Sequence, residues 1–467
     1  RFLVILLSLA AFSLPASADH PNIVFILVDD MGYGDLKVYN SESKIKTPHL
    51  DELGAEGMTF LDAHAAGPLC HVSRYGLMTG TYPFRTDVSV WPKQSVIKEN
   101  EDTVGKLLQR NGYTTAMVGK WHLGFDESGY ENPLPGGPVH RGFDTYFGIR
   151  ASTDIPPYFY IKGDKAVMPP TLEIEARNTE GWTDIQGEFW RAGGISPDLK
   201  LHEVLPRFSD EAIEVVKNHD GENPLFLYLA YPAPHTPWLP TEQFVGKSGA
   251  GMYGDFMMMV DDEIGRVLDS LEEAEMKEDT LVLFSSDNGP VWFEQDVEKF
   301  DHRSVGPLRG IKAGAWEGGH RVPFLARWPG VVESGSKSED LVSFVDVIST
   351  FAEIVGEELP AGSGKDSFSF LSSLKGESRD PRPPLVVAGG RKVTSIRSGN
   401  WKYLNGRGSG GFSERYAKKS AKEGPPVQLF DLSEDIGETT NLEAEYPEVV
   451  ERLDAELERI LSSEETR

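Results

Sequence analysis

Two short polar pairs follow apolar runs. Asp29-Asp30 comes after Asn22-Ile23-Val24-Phe25-Ile26-Leu27-Val28, and Asp287-Asn288 comes after Leu281-Val282-Leu283-Phe284-Ser285-Ser286. Adjacent carboxylates repel, so both ionise comfortably only beside a cation. An Asp-Asp pair on its own reads as a solvated turn; here the pattern recurs at a second strand end. Three carboxylates and one amide oxygen make a hard-oxygen set that suits calcium or magnesium, whereas zinc usually takes His or Cys. A second cluster is Cys70-His71-Val72-Ser73-Arg74. If a helix starts near Cys70 and stops at Gly80, Arg74 lies one turn along on the same face, and the helix N-terminus favours an anion beside Cys70. A buried structural Cys beside a surface Arg is the alternative. In a third cluster, Gly119-Lys120-Trp121-His122-Leu123-Gly124, an extended chain would point Lys120 and His122 to one side and Trp121 to the other. Such a cation beside an imidazole invites an anion between them. His235, after the run at Leu225, and Lys312 add an imidazole and an ammonium.

These residues need a scaffold that brings strand ends together. Apolar, β-branched runs at Asn22–Val28, Thr114–Val118, Leu225–Ala230, Leu281–Ser286 and Pro323–Arg327 alternate with helical patterns at Asp102–Asn111, Ser209–Asn218 and Tyr253–Glu273. That alternation predicts an α/β fold, a mostly parallel sheet sandwiched by helices, with ligands beyond the carboxyl ends of the strands. Residues 150–205 break the pattern with Pro156-Pro157, Pro169-Pro170, Tyr158, Tyr160, Trp182 and Trp190, and read as an insertion near the site within a catalytic domain of residues 19–375. Aromatics there could stack on sugars or simply pack a loop. After the Pro-rich, charged stretch Lys375–Pro384 come short strands at Leu385–Ala388, Thr394–Arg397 and Trp401–Leu404. A helix opened by Pro447 closes the chain, completing a C-terminal α+β subdomain over residues 385–467.

The 467 residues suffice for a large core. A net charge of −27 disfavours nucleic acid and anionic membrane partners, so an anionic substrate needs a local positive pocket. Arg1, the apolar run Phe2–Leu14 and Ala16-Ser17-Ala18 fit a signal peptide over residues 1–18, shorter than the ~20 residues that span a bilayer. This predicts an exported protein, periplasmic or secreted, without stable membrane insertion. With one Cys, no internal disulfide is available to an exported chain, and stability must come from its core.

Asp29-Asp30-Met31-Gly32-Tyr33-Gly34-Asp35, the segment Cys70–Gly80, Gly119–Gly124 and Asp287-Asn288-Gly289 together resemble the type I, formylglycine-dependent sulfatase family. Arg309-Gly310, Trp316–Pro323 and Gln428–Leu432 are also similar to it, in the family's order, with the arylsulfatase and N-acetylgalactosamine-sulfatase branches nearest. The resemblance implies an alkaline-phosphatase-like fold and hydrolysis of aryl or carbohydrate sulfate esters. It implies that a maturation enzyme oxidises Cys70 to formylglycine, whose hydrate attacks sulfur with one hydroxyl and expels sulfate with the other. It further implies one divalent cation, calcium with magnesium as the alternative, on Asp29, Asp30, residue 70, Asp287 and Asn288. Arg74 would steady the hydrate, His122 would serve as base in the second step, Lys120 and Lys312 would contact sulfate, and His235 with Lys312 would act on the leaving oxygen. With such a cation the three carboxylates and three basic side chains leave about two positive charges in the pocket. A unit charge pair at 4 Å in a site of intermediate dielectric contributes about 4 kcal/mol, so this local excess outweighs the screened acidic surface.

The sequence departs from the family pattern at two places. Val72 stands where the maturation motif has Pro or Ala, and Thr81 where many relatives carry a basic residue. Two other readings share the scaffold: a phosphodiesterase or phosphonate hydrolase, which would need ligands for a second metal and a Ser or Thr nucleophile, and a sulfated-glycan binder whose Cys70 is never converted.

Overall fold

In the computed structural model the first apolar run forms the central strand, Asn22–Asp29. Residues 20–88, 93–415 and 424–467 are described; the signal peptide expected over residues 1–18 lies outside them. The central strand pairs in parallel with Leu225–Pro234 on one side and Thr280–Ser286 on the other. Thr114–Lys120 and then Thr145–Ile149 continue the parallel set. Side chains alternate across a strand, and here both faces are covered. Ile23, Phe25 and Leu27 join one apolar core, and Val24, Ile26 and Val28 the other, all essentially inaccessible. Each such side chain contributes roughly 1.5–3 kcal/mol by burial.

Helices Pro48–Glu56, Val204–Lys217 and Gly251–Glu273 cover the second face through Leu53, Phe208 and Ile264. Cys70–Thr79, Val104–Arg110 and Val347–Val355 cover the first through Leu77, Leu107 and Phe351. The helix expected from Asp102 opens at Val104, capped by Thr103, whose Oγ1 accepts the Lys106 N–H at 3.1 Å. The helix expected from Ser209 starts earlier, at Val204, because Pro206 falls in its first turn, where a missing N–H costs nothing.

Among the described residues the sheet has ten strands, and its edges are mixed. Phe324–Arg327 runs antiparallel to Thr280–Ser286, followed by Met58–Phe60 and Ser336–Ser338. At the other edge the 150–205 segment contributes Tyr160–Lys162 and Lys165–Ala166, and forms a separate pair, Leu172–Ile174 with Gly193–Ile195. The C-terminal region is a four-stranded antiparallel sheet, Leu385–Ala388, Thr394–Ser398, Trp401–Leu404 and Gln428–Asp431. The helix Pro447–Ser462 buries Leu453, Leu457 and Ile460 in the same core as this sheet. No helix among the described residues is long and apolar enough to cross a membrane.

A buried ionic junction ties this sheet to the main one. Lys402 reaches Glu317 at 2.8 Å and Glu438 at 2.9 Å, Arg321 reaches Glu317 at 3.2 Å, and Arg397 reaches Asp62 at 3.1 Å. His64, Glu317 and His320 are close enough to one another to hold a metal. However, three basic side chains already balance Asp62, Glu317 and Glu438, so a further cation would have no charge deficit to fill.

Candidate active site

The loop after the central strand is built so that both carboxylates face the sheet's carboxyl edge. Asp30 adopts φ 67°, a left-handed conformation that Asp tolerates better than most residues. Gly32 then passes so close to Ser304 that a Cβ would run into its carbonyl oxygen. Asp35 anchors the turn, accepting the Gly32 N–H at 2.7 Å, the Ser304 hydroxyl at 2.9 Å and the Tyr253 hydroxyl at 2.5 Å, with His302 Nε2 at 2.8 Å. The last Asp of the motif is therefore a brace for the first two.

The helix expected from Cys70 spans Cys70–Thr79 and ends on Gly80 in the left-handed region, φ 65°. Its first residue places Cys70 Sγ 3.2 Å from Asp29 Oδ1 and 3.1 Å from Lys312 Nζ. One turn on, Arg74 donates from Nε to Asp287 Oδ2 at 2.9 Å, with its Nη2 at 2.8 Å from the same oxygen as an ion pair, and donates from Nη1 to the Lys120 carbonyl at 2.9 Å. Lys120 sits on Asp29 and donates to Ser152 Oγ at 2.6 Å, and Lys312 sits on Asp30. Each carboxylate thus has its own base, and all six side chains are buried.

The electrostatics follow from this pairing. Burial alone would raise the Asp29 carboxyl, but Lys120, with His235, Arg74 and Lys312, holds it well below the usual range. Asp287 is raised to about 6 by burial and by Asp29. Burial, then Asp287 and Asp29, push the Cys70 thiol well above its ordinary value, so it stays protonated and is a weak nucleophile as it stands. Burial would depress the Lys312 ammonium, yet Asp30 and its neighbours hold it well above its usual value. His122 is held neutral by burial and by Lys120.

Lys120 and His122 both reach the site, but not as two side chains of one extended strand. The chain turns at His122, φ 58°, and its imidazole lines the pocket near His71, with ring centroids 5.5 Å apart, while Lys120 is fully buried against Asp29 and Ser152. His235 lies just past the strand Leu225–Pro234, with Nε2 3.6 Å from Asp30 Oδ2. Asn288 donates to Asp30 Oδ1 at 2.7 Å, and its own Oδ1 is buried without a hydrogen-bond partner among the described residues. That orphaned oxygen beside three carboxylates fits a hard divalent cation. Donor atoms of Asp29, Asp30, Cys70 and His235 lie within 4.8 Å of one another, and Asp287 joins through the Asp30 N–H at 3.4 Å.

The pocket above Cys70 also takes side chains that the motifs did not single out: Ser152, Asp154 and Arg191 from the 150–205 segment, Trp238 and Tyr253, and Phe412 and Arg415 from the C-terminal region. Asp154 follows the strand Thr145–Ile149, so the rule that ligands gather past strand ends would have found it once that strand was recognised.

A parallel sheet with paired carboxylates and bases around a buried cysteine at its carboxyl edge defines a hydrolase of anionic esters. The chain belongs to the sulfatase family, whose model matches residues 21–357, and it is an enzyme acting on sulfate esters. It is 30% identical to N-acetylgalactosamine-6-O-sulfatase of Bacteroides thetaiotaomicron over 97% of this chain and 94% of that protein. It is 32% identical to human arylsulfatase A over 94% of this chain and 86% of that one. A solved chain from work on the metabolism of multiple glycosaminoglycans by Bacteroides thetaiotaomicron superposes with a TM-score of 0.85 at 30% identity, covering 96% of this chain and all of that one. Ps i-CgsB in complex with k-i-k-neocarrahexaose gives 0.73 at 25%, covering 96% and 94%. Sulfatases generally use formylglycine and a divalent cation, and the acidic cluster here is a candidate cation site.

Proposed function

We propose that this chain is an exported carbohydrate sulfatase, working through formylglycine made from Cys70 with one divalent cation, calcium or magnesium, held by Asp29, Asp30, Asp287 and Asn288 together with residue 70. The observation that carries this reading is the position of Cys70 Sγ, between Asp29 and Lys312 at the floor of the pocket. When present, the hydrated aldehyde supplies an oxygen nucleophile and a second hydroxyl for releasing sulfate, and the cation supplies charge for the sulfate oxygens. Arg74, locked by Asp287, fixes the first turn of the helix that carries residue 70. Lys120 and Lys312 offer ammonium groups to sulfate oxygens, and neutral His122 can take a proton from the second hydroxyl. His235 presents Nε2 toward Asp30 and the pocket, where it can protonate the departing oxygen.

Carbohydrate is favoured over aryl sulfate because the compared relatives include N-acetylgalactosamine-6-sulfatases and a structural neighbour is in complex with a neocarrahexaose. Desulfation of a panel of sulfated sugars, with product positions assigned, tests the reading. Release of sulfate from a 6-sulfated N-acetylhexosamine, lost on chelation and restored by calcium or magnesium, is the expected result; hydrolysis of aryl sulfates alone would refute it.

His235→Ala should slow sugar sulfates, whose leaving alkoxides are poor, by roughly 10²–10⁴-fold. Nitrophenyl sulfate, which needs no acid, should be far less affected. Equal losses on both would remove His235 from the leaving-group role.

A further inference from the structure

The wall of the pocket is largely apolar, with Leu69, Ile155, Trp238 and Val291 facing the opening. Asp154 projects into it from the loop after Thr145–Ile149 and is only 5% exposed. Its two carboxylate oxygens have unlike surroundings. Oδ2 accepts from Arg191 at 2.5 Å, and the same guanidinium nitrogen bonds the Asp154 carbonyl at 3.2 Å, so Arg191 clamps the residue. Arg191 in turn rests over the Phe189 ring, with 4.8 Å to its centroid. Oδ1 is buried and accepts no hydrogen bond from any described residue. His235 Nδ1 lies 4.0 Å from it, and that nitrogen is 2.7 Å from the Thr236 carbonyl.

A buried carboxylate oxygen with no donor has lost its hydration and gained nothing in return. Arg191 already balances the negative charge, so a neutral donor is enough to satisfy the free oxygen. None of the steps assigned to Arg74, Lys120, His122, His235 and Lys312 uses it, although it sits beside the group that faces the leaving oxygen.

We infer that Asp154 Oδ1 accepts a hydrogen bond from a hydroxyl of the saccharide that carries the ester, making Asp154 a specificity-determining residue for a polyol over an aryl leaving group. The inference rests on the carbohydrate reading above and names the contact that would enforce it. A site built to hydrogen-bond a substrate hydroxyl discriminates strongly against an analogue lacking it, because the buried acceptor is then left unpaired.

The test uses protein whose residue 70 is converted, with N-acetylgalactosamine 6-sulfate and its 3-deoxy and 4-deoxy analogues. At least one deoxy analogue should lose about 10²-fold or more in kcat/KM with the parent enzyme. In Asp154→Ala that ratio should collapse to within about threefold, whatever happens to the absolute rates. Asp154→Asn, which keeps the shape and a neutral acceptor, should leave a ratio of about tenfold, since a neutral acceptor is roughly half as strong. Should Asp154→Ala not fold, the Asn variant carries the test. Equal turnover of all three sugars by the parent enzyme, or an unchanged ratio in the variants, overturns the inference while leaving the sulfatase reading intact. No turnover of any of these sugars by protein that hydrolyses nitrophenyl sulfate overturns the carbohydrate reading, and this inference with it.

Discussion

Asp287→Asn should bring turnover down to background, at least about 10³-fold, in a protein that still folds. The two oxygens of Asp287 have separate surroundings. One oxygen, Oδ2, accepts from Arg74 Nε at 2.9 Å, and Arg74 is 1% exposed. The other lies 3.4 Å from the Asp30 N–H, beside Asn288 with its orphaned oxygen. Removing the whole side chain, as in Asp287→Ala, strands a buried guanidinium, and breaking a buried pair in this way typically costs about 3–5 kcal/mol. Loss of activity in that variant would mix unfolding with chemistry. Asn keeps an acceptor for Arg74 and the side-chain volume while removing the charge that a divalent cation needs. Thermal unfolding and elemental analysis on the same samples decide the matter. A folded Asn variant with a full complement of cation and near-normal turnover would remove Asp287 from the metal site. Stoichiometric zinc, or two metals per chain, in the active parent enzyme would refute the single hard-cation assignment.

The parallel core was readable because its strands are nearly unbroken apolar runs, the mark of strands covered on both faces, and the central ones end abruptly in the polar residues proposed for the chemistry. Asn22–Asp29 and Thr280–Ser286 lie side by side, which is why the two distant polar pairs Asp29-Asp30 and Asp287-Asn288 meet. Strand direction was less accessible. Phe324–Arg327 has the same composition as its neighbours yet runs antiparallel, since direction depends on where the connecting segments go. Local conformation at His122 was also hidden. A two-residue spacing implies a shared side only while the chain stays extended, and the turn at φ 58° ends that. Asp154 and Arg191 escaped notice because nothing in the periodicity of residues 150–205 marks which of its polar residues turn inward. The braces behind the motif, Tyr253 and His302 on Asp35, were missed for another reason: they come from segments far along the chain and have no pattern of their own.

Val72→Pro should raise the fraction of Cys70 converted to formylglycine when the protein is made in a foreign host, without changing turnover per aldehyde. The motive is the departure at Val72 from the maturation motif that the family resemblance implies, beside the paired carboxylates and bases around Cys70. The structure gives the substitution a low cost. Val72 is the third residue of the helix Cys70–Thr79, where backbone N–H groups have no acceptor within the helix and proline is tolerated. The first helical bond here, the Ser73 N–H to the Leu69 carbonyl at 2.8 Å, does not involve the Val72 N–H. What is lost is the packing of a half-buried Val methyl against Gly67, a small term beside the catalytic effect. Mass spectrometry of the peptide containing residue 70 should show thiol and the lighter aldehyde in the parent protein, with kcat proportional to the aldehyde fraction across preparations. Cys70→Ser should be inactive in steady state, because a sulfate ester on Ser lacks the second hydroxyl that drives its release. A burst of product followed by arrest would be its signature. Full activity in protein whose residue 70 is entirely thiol would overturn the mechanism. An aldehyde fraction that is already complete in the parent would show instead that Val72 is no obstacle to maturation.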